Sequence, residues 1–228
     1  ITSADFDATI NAHWAPGVRI LLKRGQTFDA SQTITLQNIT ESPSQIGAWG
    51  TITGTDARGI SDNAPIINCT HGNAAFRIQT RGLTFSDLDI RGNGSTSIGD
   101  SIRGNNRDEL WHKIRATTGI EQGIYYNPQV LPFYVNDVPA TGVGIAQCEF
   151  SGLNNYALFG APETSFFVGN YVHDFSLSHL VRCPYFWKFG MHHNTFDNPG
   201  GTGFTCIKMH GSQNFEQVPN VKEWSEYL

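Results

Sequence analysis

Two basic side chains near the C-terminal end of the sequence have types and spacing that can act on an anionic group. Arg182 and Lys208 each occupy the middle of a short segment of the same pattern, residues 181–183 and 207–209. If these segments stack as neighbouring parallel strands, the two cations lie roughly 5 Å apart and repel each other unless an anion compensates them. The pair therefore predicts a site for an acidic sugar.

The chemistry that this pair favours is β-elimination on a uronate. A cation neutralises the carboxylate so that the adjacent C–H becomes acidic, and a basic group takes the proton. Arg182 suits the first role because its planar guanidinium pairs bidentately with a carboxylate, and Lys208 suits the second where a neighbouring cation favours its neutral form. His210 is an alternate base, or the acid that assists the leaving oxygen. In a second interpretation, Arg182 and Lys208 are surface residues bonded to loop carbonyls.

Five further side chains are candidate substrate contacts. His173 and Asp197 fall at one position of two matched segments, where a His–Asp contact is equally a structural hydrogen bond. His179 opens the segment of Arg182 and either contacts the substrate or orders the loop. Tyr125 and Tyr126 fall near an equivalent strand, so one ring can stack on a sugar, although packing in a core or loop is the commoner role of tyrosine.

Composition excludes several classes of partner. The 228 residues include 15 basic and 20 acidic side chains, and charged residues make up only 15% of the chain. No basic stripe is present, so nucleic acid is not expected as a partner. No stretch approaches the roughly 18 to 20 apolar residues of a membrane span. We expect a soluble chain with no membrane partner.

Self-similarity along the chain is the strongest signal of architecture. Segments centred on Ile90, Phe150, Val172 and Phe196 superpose without gaps, and a segment centred on Ile114 joins them. The steps between the centres are 24, 36, 22 and 24 residues, so three of the four fit one coil of a solenoid. The pattern predicts an all-β fold, a parallel β-helix with three strands and roughly 22–24 residues in each coil. Residues 1–228 would form a single domain of this kind, cropped at one or both ends.

Three details refine this prediction. A second apolar row lies five residues before the centres, except that Glu109 occupies this position before Ile114. Asn170 and Asn194 lie between the two rows, where stacked amides can satisfy the backbone groups of a tight bend. Residues 93–142 read as a loop-rich insertion, and long loops on one side of a solenoid commonly frame its binding surface. The second apolar row consists of Phe85, Ile145, Phe167 and Met191.

The third strand of each coil carries the candidate chemistry. In the aligned segments 159–161, 181–183 and 207–209, we expect Phe159, Val181 and Ile207 to point inward because side chains alternate along a strand. The outward row would then be Gly160, Arg182 and Lys208, with no carboxylate among them.

These coils and the asparagine turn resemble the pectin-lyase-like superfamily of right-handed parallel β-helix proteins, over about residues 18–211. The run His179-Leu-Val-Arg182, with His193-Asn194 and the segment from Ile207 to Gly211, is similar to a group of bacterial β-helix proteins without an assigned activity. The resemblance implies a right-handed, single-stranded helix. It also implies that Arg182 and Lys208 lie on the face where the superfamily carries out its chemistry.

The sequence departs from this family in its acidic residues. Calcium-dependent pectate lyases carry clustered carboxylates on that face, and polygalacturonase-type hydrolases group several aspartates over adjacent coils; neither grouping is matched here. No metal ligands are identified and no cofactor is firmly implied, although calcium stays possible in a loop. The four cysteines, at positions 69, 148, 183 and 206, are most simply scattered buried thiols.

The sequence therefore favours a secreted, cell-surface or virion-associated protein that acts on a polysaccharide, with an elimination-type lyase first. A noncatalytic glycan-binding or adhesive solenoid, including a phage tail-spike segment, is one alternative. A glycoside hydrolase whose carboxylates come from Asp100, Asp108 or Glu109 is another. The sugar, its linkage and the oligomeric state are left open.

Overall fold

The computed structural model describes residues 6–38, 42–101, 107–126, 141–160, 163–176, 179–183, 187–199 and 206–209. Within them, the chain forms one helix, α1 (Phe6–His13), and a single sheet of seventeen strands. The strands are β1 (Arg19–Lys23), β2 (Thr27–Ala30), β3 (Ile34–Asn38), β4 (Ser44–Trp49), β5 (Ile66–Cys69), β6 (Phe76–Thr80), β7 (Leu83–Ser101), β8 (Arg107–Tyr126), β9 (Thr141–Ala146), β10 (Glu149–Ser151), β11 (Leu158–Phe159), β12 (Glu163–Val168), β13 (Tyr171–Phe175), β14 (Val181–Cys183), β15 (Trp187–His192), β16 (Thr195–Pro199) and β17 (Ile207–Met209).

The strands pair in parallel; towards both ends of the sheet a strand pairs with the one three positions later, and the long strands β7 and β8 pair with each other in the middle. At one end of the sheet β1 pairs with β4, β2 with β5 and β3 with β6. At the other end β12 pairs with β15, β13 with β16 and β14 with β17. Three strands therefore make one repeat, and the prediction of an all-β fold with a parallel sheet is confirmed.

The prediction of a loop-rich stretch over residues 93–142 is wrong for much of its length. The long strand β7 continues to Ser101, β8 covers Arg107–Tyr126, and β9 begins at Thr141. Residues 92–101 are rich in Gly, Ser and Thr and lack regular apolar alternation, but the backbone of residues 99–101 pairs with β6 and that of residues between 96 and 101 pairs with β8. Backbone pairing, rather than side-chain pattern, makes this segment a strand. Residues 102–106 and 127–140 lie outside the described residues.

The apolar centres align as the sequence predicts, with one correction. Phe150 pairs with Val172, and Val172 pairs with Phe196. On its other side Phe150 pairs with Ala116, two residues after the predicted centre Ile114. The sequence favoured Ile114 because it is the larger apolar residue, whereas the strand register brings the small Ala116 to the centre of the row.

The same correction removes the irregularity at Glu109. With Ala116 as the centre, the residue five positions earlier is Trp111, which pairs with Phe85 and Ile145. Trp111 is completely buried, and its ring stacks on that of Phe85 at a centroid distance of 3.9 Å. The second apolar row therefore runs without a break through this repeat and forms part of the core.

The bend before each centre has a left-handed backbone. Asp87, Lys113, Gln147 and His193 have φ angles of 54–56°, and Gly169 has φ of 65°. The strand pairings on either side bring these five residues to one position of successive repeats. This conformation is uncommon for residues with a side chain, so the surrounding structure must compensate for it.

An asparagine ladder provides that compensation, as the sequence predicts. The side-chain oxygen of Asn194 accepts a hydrogen bond of 2.9 Å from the backbone N–H of Asn170, and its Nδ2 donates to the carbonyl of Phe167. Asn170 repeats this pattern one repeat earlier: it accepts from the backbone N–H of Cys148 and donates to the carbonyl of Ile145. Each amide thus satisfies backbone groups that the bend leaves unpaired.

The ladder continues with a cysteine in place of an asparagine. The sulfur of Cys148 accepts a hydrogen bond of 3.4 Å from the backbone N–H of Ile114 and lies 3.5 Å from the carbonyl of Trp111, the residue paired with Ile145, to which its S–H can donate. A thiol can make these contacts because it is both a weak donor and a weak acceptor. Cys148 is therefore a member of the ladder as well as a core residue.

Helix α1 packs against β2 and β3 at the N-terminal end of the sheet. Phe6 and Ile10 are buried, and the ring of Phe6 lies 5.4 Å from that of Phe28. The carboxylate of Asp7 accepts hydrogen bonds from the backbone N–H groups of Ser31 and Gln32. The helix thus covers apolar residues of the first repeat, and its acidic side chain ties it to the turn after β2.

Replacement of Asn170 by alanine tests the ladder. Asn170 is 2% exposed, and the substitution leaves the Cys148 N–H and the Ile145 carbonyl buried without their side-chain partner. We expect the free energy of unfolding, measured by urea denaturation, to fall by about 2–4 kcal/mol. The matched change Asn73→Ala, at an exposed position, should alter it by less than about 0.5 kcal/mol. Equal effects of the two changes would contradict a structural role for the ladder.

The reactivity of the four free cysteines tests the packing of the core. Burial raises the pKa of the thiols of Cys69, Cys148 and Cys183 to about 12, whereas Cys206 is partly exposed. Because the thiolate is the nucleophile, we expect iodoacetamide at about pH 8 to label Cys206 in the folded protein and the other three only after unfolding. Mass spectrometry of the labelled peptides measures this. Rapid labelling of any of the three buried thiols in native buffer would contradict the packing described.

Candidate functional site

Arg182 and Lys208 pair with each other across β14 and β17, at the register that the sequence predicts. On the other side Arg182 pairs with Phe159, not with Gly160. Leu158 is the buried residue of β11 and Phe159 is partly exposed, so the predicted inward position of Phe159 is wrong by one residue. Two adjacent apolar residues gave the sequence pattern no way to decide which of them points inward.

The row that contains Arg182 continues along the sheet. Phe159 pairs with Tyr125, and Tyr125 pairs with Asp100. We name this series the Arg182 row: Asp100, Tyr125, Phe159, Arg182 and Lys208. Successive members are separated by the spacing of parallel strands, roughly 4.8 Å. Tyr125 therefore belongs to the same backbone row as the two cations, while Tyr126 occupies the next position, paired with Ser101.

Two aromatic rings surround the guanidinium of Arg182. Its Nη1 donates a hydrogen bond of 2.9 Å to the hydroxyl of Tyr156. The guanidinium carbon lies 5.8 Å from the centre of the Tyr156 ring and 5.5 Å from that of Phe159. The two rings are themselves 4.6 Å apart. The hydrogen bond to Tyr156 and the two ring contacts therefore help to orient the guanidinium of Arg182.

Lys208, His210 and His179 are the other candidates predicted near Arg182, the first two for catalysis and His179 for substrate contact. Lys208 is partly buried, and His179, just before β14, is also partly buried. His210, the predicted alternate base or acid, lies outside the described residues.

His173 and Asp197 occupy one row, as the sequence predicts. Ser151 pairs with His173, and His173 pairs with Asp197. These residues lie on β10, β13 and β16, whereas Arg182 and Lys208 lie on β14 and β17. The two sets of candidate residues therefore belong to different strands of the repeat.

The side chains of His173 and Asp197 are engaged with neighbours. His173 lies between two carboxylates: Nδ1 is 2.7 Å from Asp174, and Nε2 is 3.2 Å from Glu149. Its ring stacks on Tyr171 at 4.1 Å, and the Tyr171 hydroxyl donates to Asp197 at 3.3 Å. These contacts match the structural alternative to substrate binding that the sequence left open for this pair.

Glu149 is the centre of a larger group of charges that sequence reasoning missed. We name it the loop–sheet cluster; it consists of Asp56, Arg58, Arg115, Glu149, His173 and Asp174. One oxygen of Glu149 lies 3.0 Å from Arg58 and 3.1 Å from Arg115. One oxygen of Asp56 lies 2.8 Å from Arg58 and 3.1 Å from Arg115. Two arginines and two carboxylates thereby join the loop between β4 and β5 to strands β8 and β10.

Asp56 and Arg115, two members of the loop–sheet cluster, have shifted pKa values. Burial by itself would raise the pKa of Asp56, but backbone N–H bonds from Ile60 and Arg58 and the charge of Arg58 lower it overall. Burial would likewise lower the pKa of Arg115, but its contacts with Glu149 and Asp56 raise it overall. Both shifts favour the charged forms, so the ion pairs persist over the neutral pH range.

Of the three carboxylates considered for a hydrolase, Glu109 lies in the core. Glu109 is 2% exposed and accepts a hydrogen bond from the indole N–H of Trp111 within the core. Asp108 is exposed, has a φ of 55° and lies at the start of β8. Asp100 lies in the Arg182 row. Paired acid and base carboxylates must face one another across a substrate, and Glu109 is not available for that role.

The described residues give no support for a metal centre or a membrane span. Among them, no group of three or more His, Cys, Asp and Glu side chains is arranged to hold a metal ion. Within the same part of the chain, no helix is long and apolar enough to cross a membrane.

The residues that the sequence did not identify share one property: their partners are distant and follow no repeat. Asp56 and Arg58 come from the loop between β4 and β5, and their partner Glu149 belongs to β10. Tyr156 lies in the turn before β11 and reaches Arg182 in the next repeat. The register of β11 against β14 would have indicated Tyr156, because it places that turn beside Arg182.

Comparisons with known proteins leave the family open. No family model matches the chain, and no curated protein matches it. One solved structure that matches is described as ORF18 of Geobacillus virus E2, with 10% identity and a TM-score of 0.27. The match covers 91% of this chain and 58% of that chain, so this chain spans little more than half of the viral protein. A likeness at this level carries no argument about fold or function.

Replacement of Glu149 by glutamine tests the loop–sheet cluster. The change removes the charge shared by Arg58, Arg115 and His173, while their side chains remain only 16–21% exposed. We expect the free energy of unfolding to fall by about 1–3 kcal/mol and proteolytic cleavage within residues 50–65 to become faster. Asp62→Asn, at an exposed position of the same loop, is the matched control and should leave both quantities nearly unchanged. Unaltered cleavage in Glu149→Gln would contradict a role of the cluster in holding the loop.

Proposed function

We propose that this chain is a right-handed parallel β-helix that acts on an acidic polysaccharide at the face formed by the Arg182 row. The proposal for the helix is supported by the three-strand parallel repeat and by the left-handed bend that recurs before each ladder residue. In such a solenoid, outward side chains of successive repeats form continuous rows that can follow an extended polymer. An extended polysaccharide is a ligand of suitable shape for such a row.

The observation that carries the proposed function is the pairing of Arg182 with Lys208. Two cations in neighbouring strands repel each other, by about 1 kcal/mol at 4 Å in bulk water and about 4 kcal/mol near a protein surface. A bound carboxylate converts this repulsion into attraction. Arg182 is also held by Tyr156 and Phe159, so its guanidinium loses less freedom when a carboxylate binds.

The reaction that these groups favour is β-elimination on a uronate. Arg182 pairs with the carboxylate, and the neutral form of Lys208 takes the proton from the adjacent carbon. The electrons of that C–H bond form a C=C bond, and the bond from the next carbon to the glycosidic oxygen breaks. The leaving oxygen takes a proton from an acid, for which His210 is the candidate. The products are a chain with a new reducing end and an unsaturated uronate.

This function implies where the protein acts and with what. Uronate polymers belong to cell surfaces and extracellular material, so we propose a secreted, cell-surface or virion-associated protein with a polysaccharide partner. No nucleic-acid or membrane partner forms part of the proposal, and neither does a metal cofactor.

A noncatalytic acidic-glycan binder is the second candidate. It is favoured by the rings of Tyr156 and Phe159 beside Arg182, since aromatic faces and an oriented cation are sufficient to bind a charged sugar. It needs no proton acceptor at Lys208. The two candidates therefore differ in whether Lys208 must exchange a proton.

Substitutions at Lys208 separate the two functions. Lys208→Arg keeps the positive charge but removes a group that can become neutral, so for an elimination enzyme we expect turnover to fall by about 10²- to 10⁴-fold with little change in binding. Arg182→Ala should lose both turnover and binding. The measurements are ultraviolet absorbance of unsaturated products on a panel of uronate polysaccharides, and calorimetric binding of the same polymers.

Lys23→Ala removes an exposed lysine of β1 and is the matched control, for which both measurements should stay at the level of the unmodified chain. Absence of unsaturated products on every uronate, with binding that depends on Arg182, would leave the noncatalytic binder. Binding and turnover that are indifferent to both Arg182 and Lys208 would contradict the whole proposal.

A further inference from the structure

Tyr156 is held rigidly at the point where it contacts Arg182. Its backbone carbonyl accepts a hydrogen bond of 2.6 Å from the N–H of Gly123 in β8. The next residue, Ala157, bonds on both sides: its carbonyl accepts from Ile124, and its N–H donates to the carbonyl of Leu180. The turn that carries Tyr156 is therefore fixed between β8 and the residue that precedes β14.

Gly123 is required for this close approach. A Cβ atom at position 123 would lie 2.0 Å from the carbonyl oxygen of Ala157, a distance that no side chain could relieve because the contact is with backbone. The lack of a side chain at Gly123 therefore allows β8 to approach the turn closely enough to bond Tyr156. The position of the phenol is determined by backbone contacts and not by its own side-chain packing alone.

We propose that Tyr156 is the positioning residue of Arg182 for a uronate carboxylate. The inference deepens the proposed function and rests on it. The Tyr156 hydroxyl accepts from Nη1 of Arg182 at 2.9 Å, and the guanidinium carbon lies 5.8 Å from the centre of the same ring. A guanidinium carries its five N–H donors in one plane, so a hydrogen bond to one of them helps to set the orientation of that plane.

The consequence for recognition is specificity for a planar anion. A long arginine side chain normally loses much rotational freedom when it pairs with a carboxylate. With its plane oriented beforehand by Tyr156, the guanidinium loses less freedom on pairing with a carboxylate, and a carboxylate gains more from this than a neutral sugar does. Tyr156 acts here through Arg182 and is not itself a catalytic residue.

The test compares Tyr156→Phe with the unmodified chain. Phenylalanine keeps the ring and removes the hydroxyl, so the fold and the ring contact are retained while the hydrogen bond is lost. We expect the affinity for a galacturonate trisaccharide, measured by calorimetry, to fall about five- to tenfold. Binding of the corresponding neutral galactose trisaccharide should not change. In nuclear magnetic resonance spectra, the Nε–H signal of Arg182 should indicate faster guanidinium rotation.

Asn155→Ala is the matched control for a loosened turn. Asn155 lies beside Tyr156 and donates a hydrogen bond of 3.2 Å to Glu121, with no part in the contact to Arg182. A purely structural effect would lower uronate affinity equally in both variants, which would overturn the inference. Uronate affinity in Tyr156→Phe equal to that of the unmodified chain would overturn it as well.

Failure of the proposed elimination is distinguishable from failure of this inference. If the unmodified chain forms no unsaturated products but its uronate binding falls in Tyr156→Phe and not in Asn155→Ala, elimination is wrong and the positioning role stands. If products form at the same rate and the same KM in Tyr156→Phe, elimination stands and the positioning role is wrong. If the unmodified chain binds no uronate, both are wrong.

Discussion

Parallel backbone pairing between successive repeats is the constraint on which the rest of this structure depends. Once a strand is paired at one register, every side chain at an equivalent position falls in a row with a spacing of roughly 4.8 Å. Rows that point inward form the core, where Phe85 stacks on Trp111, while rows that point outward bring together residues such as Arg182 and Lys208. A shift of one residue would exchange the two faces, so the register is under strong selection by burial.

The bends between strands keep this register because the neighbouring repeat supplies hydrogen-bond partners for their backbone N–H and carbonyl groups. Residues at the bend have a left-handed backbone, which leaves N–H and carbonyl groups without partners inside the repeat. Asn170, Asn194 and Cys148 supply those partners by bonding to the neighbouring repeat. The ladder therefore has two effects: it stabilises the bends, and it fixes the register of the strands. A thiol can replace an asparagine in the ladder because each ladder side chain needs to accept one hydrogen bond and donate one.

The charged residues divide into two groups with different physical roles. In the loop–sheet cluster, two arginines and two carboxylates compensate one another, so the group holds the loop between β4 and β5 against the sheet. In the Arg182 row, two cations are neighbours, and the described partners of Arg182 include an aromatic hydroxyl and two rings. A cluster in which opposite charges compensate one another is typical of a structural contact.

The sequence by itself determined the repeat, most of the inward positions, the asparagine ladder and the pairing of Arg182 with Lys208, because each of these recurs at the period of the repeat. Of the residues that it predicted to point inward, Phe159 is partly exposed and Ile207 is 41% exposed. It placed the centre of one row at Ile114 instead of Ala116, since a small residue gives little apolar signal, and it treated residues 93–142 as loop-rich although β7 continues to Ser101 and β8 covers Arg107–Tyr126. Only the tertiary structure decided the contacts of Tyr156 with Arg182, of Asp56 with Arg115 and of Arg58 with Glu149. Those residues lie in turns and loops outside the period, and their partners are fixed by the spatial path of the chain, which no repeat in the sequence encodes.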